Sequence, residues 1–562
     1  MRIGAQLFLF ASAVSLFGFL GLIGAGCSSS PKATADPPSS PALAAASSTN
    51  STVNVLTYHN DNGRTGGNLD ERTLTLGNVN SASFGKIGFL STQGLVDAEP
   101  LYVSGLTING AKHNVVFVAT EHDFVYAFDA DTFQQLWRVS LLGASETTSD
   151  ARGCGQVKPE IGITSTPVID LARETHGALY AVAMSKDRSG NYFQRLHALD
   201  ISSGSEFPGS PRTIEASYPG SAQPNLNGRV LFDPKQYKER ASLLLLNGVV
   251  YTSWASHCDY DPYTGWIIGY DAATLKQASV LNITPNGSEG AIWMSGAGLA
   301  ADSSGSIYFL AGNGTFETEL NSAGFPSKGD FGNAFLKLST SGGVLAVSDY
   351  FDMYGTLQES QRDLDLGSGG ALVFPDLTDV SGKTRHLAVG AGKDNIIYLV
   401  DRDAMGKFNP ARNSIHQEIR STGEDRSKGL GGSGGVYSMP GYFNHTLYYA
   451  AVDDSLRAFA ITNAWIVTPA SSKTAITFGY PGATPSISAN GASNGIVWTV
   501  ENNTPAVLHA YDAANLTHEL YNSNQSRQRD EITGNKFITP MISNGKVFVG
   551  TPSGVAVFGL LH

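Results

Sequence analysis

Several short stretches carry side chains that could do chemistry. In IYFLAGNGTFETE (307–319) an apolar strand runs into Gly312-Asn313-Gly314, which leaves an amide at the strand end between two residues that allow close approach. Asn313 there is either a turn residue or a ligand for a group held at the mouth of a fold. His122 and Asp123 in TEHDF, and His257, Asp259 and Asp261 in SHCDYDPY, suggest a polar rim or a metal, but their spacing fits no standard zinc pattern. Glu160 in PEIGITSTP precedes a strand and either faces a channel or lies on the surface. Cys154 and Cys258 either pair in an oxidising compartment or remain separate buried thiols. No H-E-x-x-H or phosphate-loop signature is present, which argues against zinc-hydrolase and nucleotide chemistry.

The elements that must position these residues are strands. Past residue 90 one pattern recurs: an apolar run opening near Pro, a second strand after a Gly or Asn turn, and a third ending in an Asx turn. The third strands align as VYAFDADTFQQLW (125–137), LHALDISSGSEF (196–207), IIGYDAATLKQA (267–278), IYLVDRDAMGKF (397–408) and VLHAYDAANLTHEL (507–520), with less regular copies between them. Asp129, Asp200, Asp271, Asp401 and Asp512 occupy equivalent positions, where Asp tolerates the turn and bonds the backbone two residues on. A period of this size, with three or four short strands per unit, predicts a β-propeller. The expected fold is all-β: eight blades of four antiparallel strands, or seven if the weakest unit, near 434–470, is miscounted. The last unit, 538–561, has three strands, so FGKIGFLST (84–92) is expected to supply the fourth and close the ring without an exposed edge.

VYAFDADTFQQLW resembles the blade repeat of the quinoprotein family, the propellers typified by alcohol dehydrogenases that use pyrroloquinoline quinone, although Phe133 stands where that repeat has Gly. The N-terminal TYHNDNGRTGGNLDERTLTLGNVNSASFGKIG is similar to that family's opening segment, and the resemblance extends over residues 53–562. Four stretches match in order: AIWMSGAG with Trp293, YFLAGNGTF with Asn313, KGDFGNAFLKLS with Asp330, and GAGKDNIIYLVDR with Lys393. The resemblance implies Trp293 as the floor under the quinone, Asn313 as a Ca²⁺ ligand, Asp330 as the base and Lys393 at the quinone carbonyls. Such roles suit the residue types. An indole face stacks on a planar ring, an amide oxygen suits a hard cation, and an ammonium stabilises oxygen that gains charge on reduction. Two departures stand out. Cys154 is followed by Gly155, so the family's vicinal disulfide cannot form, and its blade-two Ca²⁺-binding Glu has only Asp187 as a counterpart. No C-x-x-C-H haem motif follows.

Composition bounds the partners. With 37 basic against 49 acidic residues the net charge is -12, and no basic run offers phosphates a partner, so no nucleic acid is expected. Residues 1–27 read as a secretory signal, with Arg2, an apolar run from Leu7 to Ile23, and IGAGC, which resembles a lipobox with Cys27 as the lipidated residue. Plain cleavage is the alternative. Ser28 after the Cys favours the outer membrane by analogy. Residues 28–52 are Ser, Ala and Pro with few bulky groups, a tether that cannot pack a core. Residues 53–562 form the propeller domain. Two functions stay open: a quinone- and Ca²⁺-binding oxidoreductase acting on an alcohol or sugar, or a cofactor-free propeller that binds an envelope protein or polysaccharide.

Overall fold

The computed structural model describes residues 53–156, 158–421 and 428–561. The expectations for Cys27, the signal and the tether lie outside these residues. Among the described residues, eight sheets follow one another along the chain, each built on four antiparallel strands. The first comprises Leu101–Ile108, Ala111–Ala119, Phe124–Asp129 and Gln135–Ser140. The unit near 434–470, the least regular in sequence, forms its own sheet from Gly441–Phe443, Thr446–Tyr449, Arg457–Thr462 and Ser472–Lys473. In the last sheet Phe84–Ser91 pairs antiparallel with Gly554–Leu560, so the two ends of the domain share one sheet.

The recurring Asp residues do what their type dictates. Asp129 Oδ1 accepts the amides of Asp131 and Thr132, and Asp200, Asp271, Asp401 and Asp512 accept the corresponding amides in their own turns. Phe133, Gly204 and Leu275 occupy the left-handed position of that turn at φ 62, 72 and 54°, which explains why the repeat favours Gly there.

A propeller's core lies between neighbouring sheets, and the residues agree: one continuous buried cluster includes Leu244, Leu310, Leu399 and Phe459 from four successive sheets. The N-terminal segment links them all. Val55 pairs with Tyr102, Leu56 accepts from Ile169, and Asn62 donates to Leu245 and accepts from Ala301. Gly63, Thr65 and Gly66 accept from Val373, Tyr442 and Ile487, and Asn68 donates to Ile542. A stretch that short can meet eight sheets in chain order only if they stand around a common axis, with the segment across one end. Arg64, fully buried, fixes it by donating to the carbonyls of Tyr58, Leu243 and Leu299 and to Thr57 Oγ1.

Candidate functional site

On the ring lies a cavity of about 610 Å³, within the range of small-molecule sites. Trp293, Asn313 and Lys393 all line it, the first two from the segments before and after the paired strands Ala300–Ala301 and Ile307–Leu310 of one sheet, the third from the end of Leu387–Ala391 in the next. Their positions follow from local chain geometry. The strand Ile307–Leu310 ends at Ala311, and Gly312 donates its amide to Ala291 at 2.9 Å. A Cβ at Gly312 would come within 2.9 Å of Ala291 O, and one at Gly314 within 2.5 Å of Gly290 N. The two glycines that flank Asn313 thus let segment 289–293, which carries Trp293, lie directly against it. After Trp293 the chain turns sharply through left-handed Met294 and Ser295.

The three side chains meet over two carboxylates that the sequence reading did not single out. Lys393 Nζ lies 2.5 Å from Asp363 Oδ1 and 2.7 Å from Asp365 Oδ1. Trp293 Nε1 donates to Asp365 Oδ2 at 2.9 Å, and Asn313 Nδ2 donates to Asp363 Oδ1 at 3.0 Å. The ammonium stands 5.8 Å from the centre of the Trp293 ring. Burial works against the charge on Lys393, but Asp365 and Asp363 outweigh it and hold its pKa above that of a free lysine. Burial pushes the Asp365 carboxyl up, opposed by Lys393 and by the Trp293 N–H. Asn313 Oδ1 is buried with no hydrogen-bond partner.

From Trp293 an aromatic wall continues through Tyr437, Tyr480 and Phe537, with successive ring centres 5.9, 5.2 and 6.1 Å apart. At its far end Arg240 lies 4.4 Å and Lys536 5.6 Å from the Phe537 ring centre, and buried Lys238 lines the same end. Cys154 and Cys258 are bonded to each other, with Cα atoms 5.9 Å apart, and both line the cavity. Of the two alternatives the sequence left for them, the disulfide is the one realised. His257, beside it, has Nε2 3.0 Å from Ala151 O, and burial followed by nearby Arg152 pushes its pKa down to about 4, so it is neutral at pH 7. Five residues lining the cavity, Cys258, Asp259, Glu289, Asp363 and Phe537, have left-handed backbones with φ of 52 to 63°. Such strain concentrates where a fold holds groups for use.

Two residues with expected roles stand elsewhere. Asp330, the expected base, is absent from the cavity wall. Its Oδ1 accepts the amide of Asn286 at 2.8 Å, and it is buried beside Glu317, whose Oε2 accepts the Asp330 amide at 3.2 Å. The loop 311–334 carries it away because Phe331 and Gly332 bond back to Ile283 and Thr315. Asp187, the expected second metal ligand, ends a strand in its own turn, accepting the amides of Ser189 and Asn191 at 2.8 and 2.9 Å, and does not line the cavity. Glu160 pairs with His122 at 2.8 Å, also outside the cavity lining.

A planar quinone fits the cavity's chemistry: an indole, two tyrosines and a phenylalanine line one wall, with cations at both ends. Calcium does not fit. The hard oxygens at this end include those of Asn313, Asp363 and Asp365, and both carboxylates are already bonded to the Lys393 ammonium, so an ion would compete with Lys393 for them. Among the described residues, no group of three or more His, Cys, Asp or Glu side chains is arranged to hold a metal.

Solved structures share this architecture. Two quinohemoprotein alcohol dehydrogenases, from Comamonas testosteroni and Pseudomonas putida HK5, align with a TM-score of 0.56 and 14% identity, over 90% of this chain and 80% of theirs. A europium-containing methanol dehydrogenase aligns with a TM-score of 0.53 and 13% identity, over 90% of this chain and 98% of its own. The fold is therefore the β-propeller of the quinoprotein alcohol dehydrogenases. No family model and no curated protein sequence matches the chain.

Proposed function

We propose that the cavity binds pyrroloquinoline quinone or a closely related planar anionic quinone, and that the protein oxidises an alcohol or sugar there without a calcium ion. What supports the reading is the meeting of Trp293, Asn313 and Lys393, from three connecting segments, at one 610 Å³ cavity. A bound quinone would supply the two-electron acceptor for the oxidation. Trp293 would hold its plane through the indole face, and Lys393, fixed by two carboxylates, would place a positive charge at its oxygens. Asp363, exposed in the cavity, keeps Oδ2 free of the bonds that occupy Oδ1 and takes the role first expected of Asp330, receiving the proton of a substrate hydroxyl. The disulfide Cys154–Cys258 anchors the facing rim.

The pinning of Lys393 by Asp363 and Asp365 favours a second reading, a cofactor-free propeller that presents this face to an envelope protein or polysaccharide. With the leader and Cys27 as read above, either form would be lipid-anchored at the outer membrane. Dye-linked oxidation separates the two. Purified protein given the quinone, without calcium, is expected to reduce a dye with at least one alcohol or sugar and to lose that activity in Asp363→Asn. No turnover with any of them would leave the scaffold reading.

A further inference from the structure

We propose that the Phe537 end of the cavity binds an oxyanion, the carboxylate or phosphate of a small hydroxylated molecule, and so selects anionic sugars over neutral ones; this deepens the substrate reading above. The cations there come from distant segments: Lys238 and Arg240 from the chain around the Tyr237–Lys238 strand, and Lys536 from the loop that precedes the last sheet. In a chain of net charge -12, three cations gathered at one wall are not a by-product of composition.

Their charge is only partly answered. Lys238 is the one that is answered, by Glu121 at 3.5 Å, a carboxylate stabilised by Thr164 Oγ1 at 2.7 Å and the Gly162 amide at 2.8 Å. Lys536 donates to a neutral acceptor, Gln156 Oε1, at 2.8 Å. Asp97, a further acid beside them, accepts Asn535 Nδ2, and burial followed by Glu121 pushes its pKa up to about 6, so it is still mostly ionised at pH 7. Burial, and then the neighbouring Arg240 charge, push Lys536 down to about 8. Phe537, with its backbone in the left-handed region at φ 63°, sets an apolar ring beside both cations, 4.4 Å from Arg240 and 5.6 Å from Lys536. The result is a forked cationic seat beside a flat apolar surface, suited to an oxyanion on a sugar-sized body.

The test is a calorimetric titration of the full chain, without quinone, using D-glucuronate, glucose 6-phosphate, inorganic phosphate and glucose. At least one anionic sugar is expected to bind ten times more tightly than glucose, with affinity falling as salt rises. The tighter of the two names the anion. Arg240→Gln and Lys536→Gln should each remove most of that preference while leaving the far-ultraviolet spectrum unchanged; because Lys536 is only half-buried, its variant guards against a folding defect. Equal binding of glucuronate, glucose 6-phosphate and glucose would overturn the proposal, as would inorganic phosphate binding as tightly as the sugars. So would variants that weaken quinone binding tenfold but keep the anionic preference, since the cations would then serve the quinone's own carboxylates. If no quinone binds yet the preference stands, the quinone reading fails alone.

Discussion

Lys393 shows what a single residue can and cannot reveal in sequence. The resemblance to the quinoprotein family marked it as a candidate, as it did Trp293, whereas Asn313 also stood out by its place between two glycines at a strand end. Asp363 and Asp365 were not legible in that way. They follow a short helix, Thr356–Gln361, that interrupts the strand repeat, and only their spacing, two carboxylates around one leucine, hinted at a shared face. Asp330 misled because Gly-Asp in a loop ahead of a strand looks the same whether that loop turns inward or away. Its actual setting gives a pH signature. Burial, then a hydrogen bond with Glu317, pushes its carboxyl up to about 8. The folded protein therefore keeps a proton that the unfolded chain releases above about pH 4. The stability from that proton is fully present below about pH 4 and is lost as pH rises to about 8. Asp330→Asn should flatten this slope and raise the melting temperature at pH 8 by a few degrees, while quinone binding stays unchanged. A melting profile parallel to wild type from pH 5 to 8 would reject that setting for Asp330.

Among elements, Phe84–Ser91 pairs along its length with Gly554–Leu560 and so ties the beginning of the domain to its last strand. The three-strand count of the last unit predicted such a partner; the packing that secures it was beyond the pattern. Phe84 is fully buried, with its ring centre 5.0 Å from that of Tyr521 and 5.3 Å from that of Trp498, and so ties the last sheet to the one before it. Phe84→Ala is expected to cost about 3–5 kcal/mol, the usual price of a buried aromatic. Chemical denaturation measures this directly, and a loss below about 1 kcal/mol would mean that the strand is not needed for closure. The disulfide is the opposite case. Its two cysteines, 104 residues apart, were visible as a pair, but only the packing of the second sheet on the third brings them together.

At the scale of the whole molecule, the strand period and the Asx turns made the propeller readable, because each unit repeats the same local physics. The cavity was less readable. Its cations and aromatics, Lys238, Arg240, Tyr437, Tyr480 and Phe537, carry no local signature and meet only through closure. The N-terminal segment from Val55 to Asn68, with Arg64 at its centre, crosses the ring by bonding every sheet, so the site belongs to the assembled ring rather than to any blade. The central claim, that this ring holds a quinone at Trp293, is tested most directly by titrating pyrroloquinoline quinone into the purified protein in calcium-free buffer and following tryptophan fluorescence. The account predicts saturable quenching at micromolar quinone, abolished in Trp293→Leu and shifted at least tenfold to weaker binding in Lys393→Met. Absence of quenching up to millimolar quinone, or quenching that both variants leave intact, would contradict it.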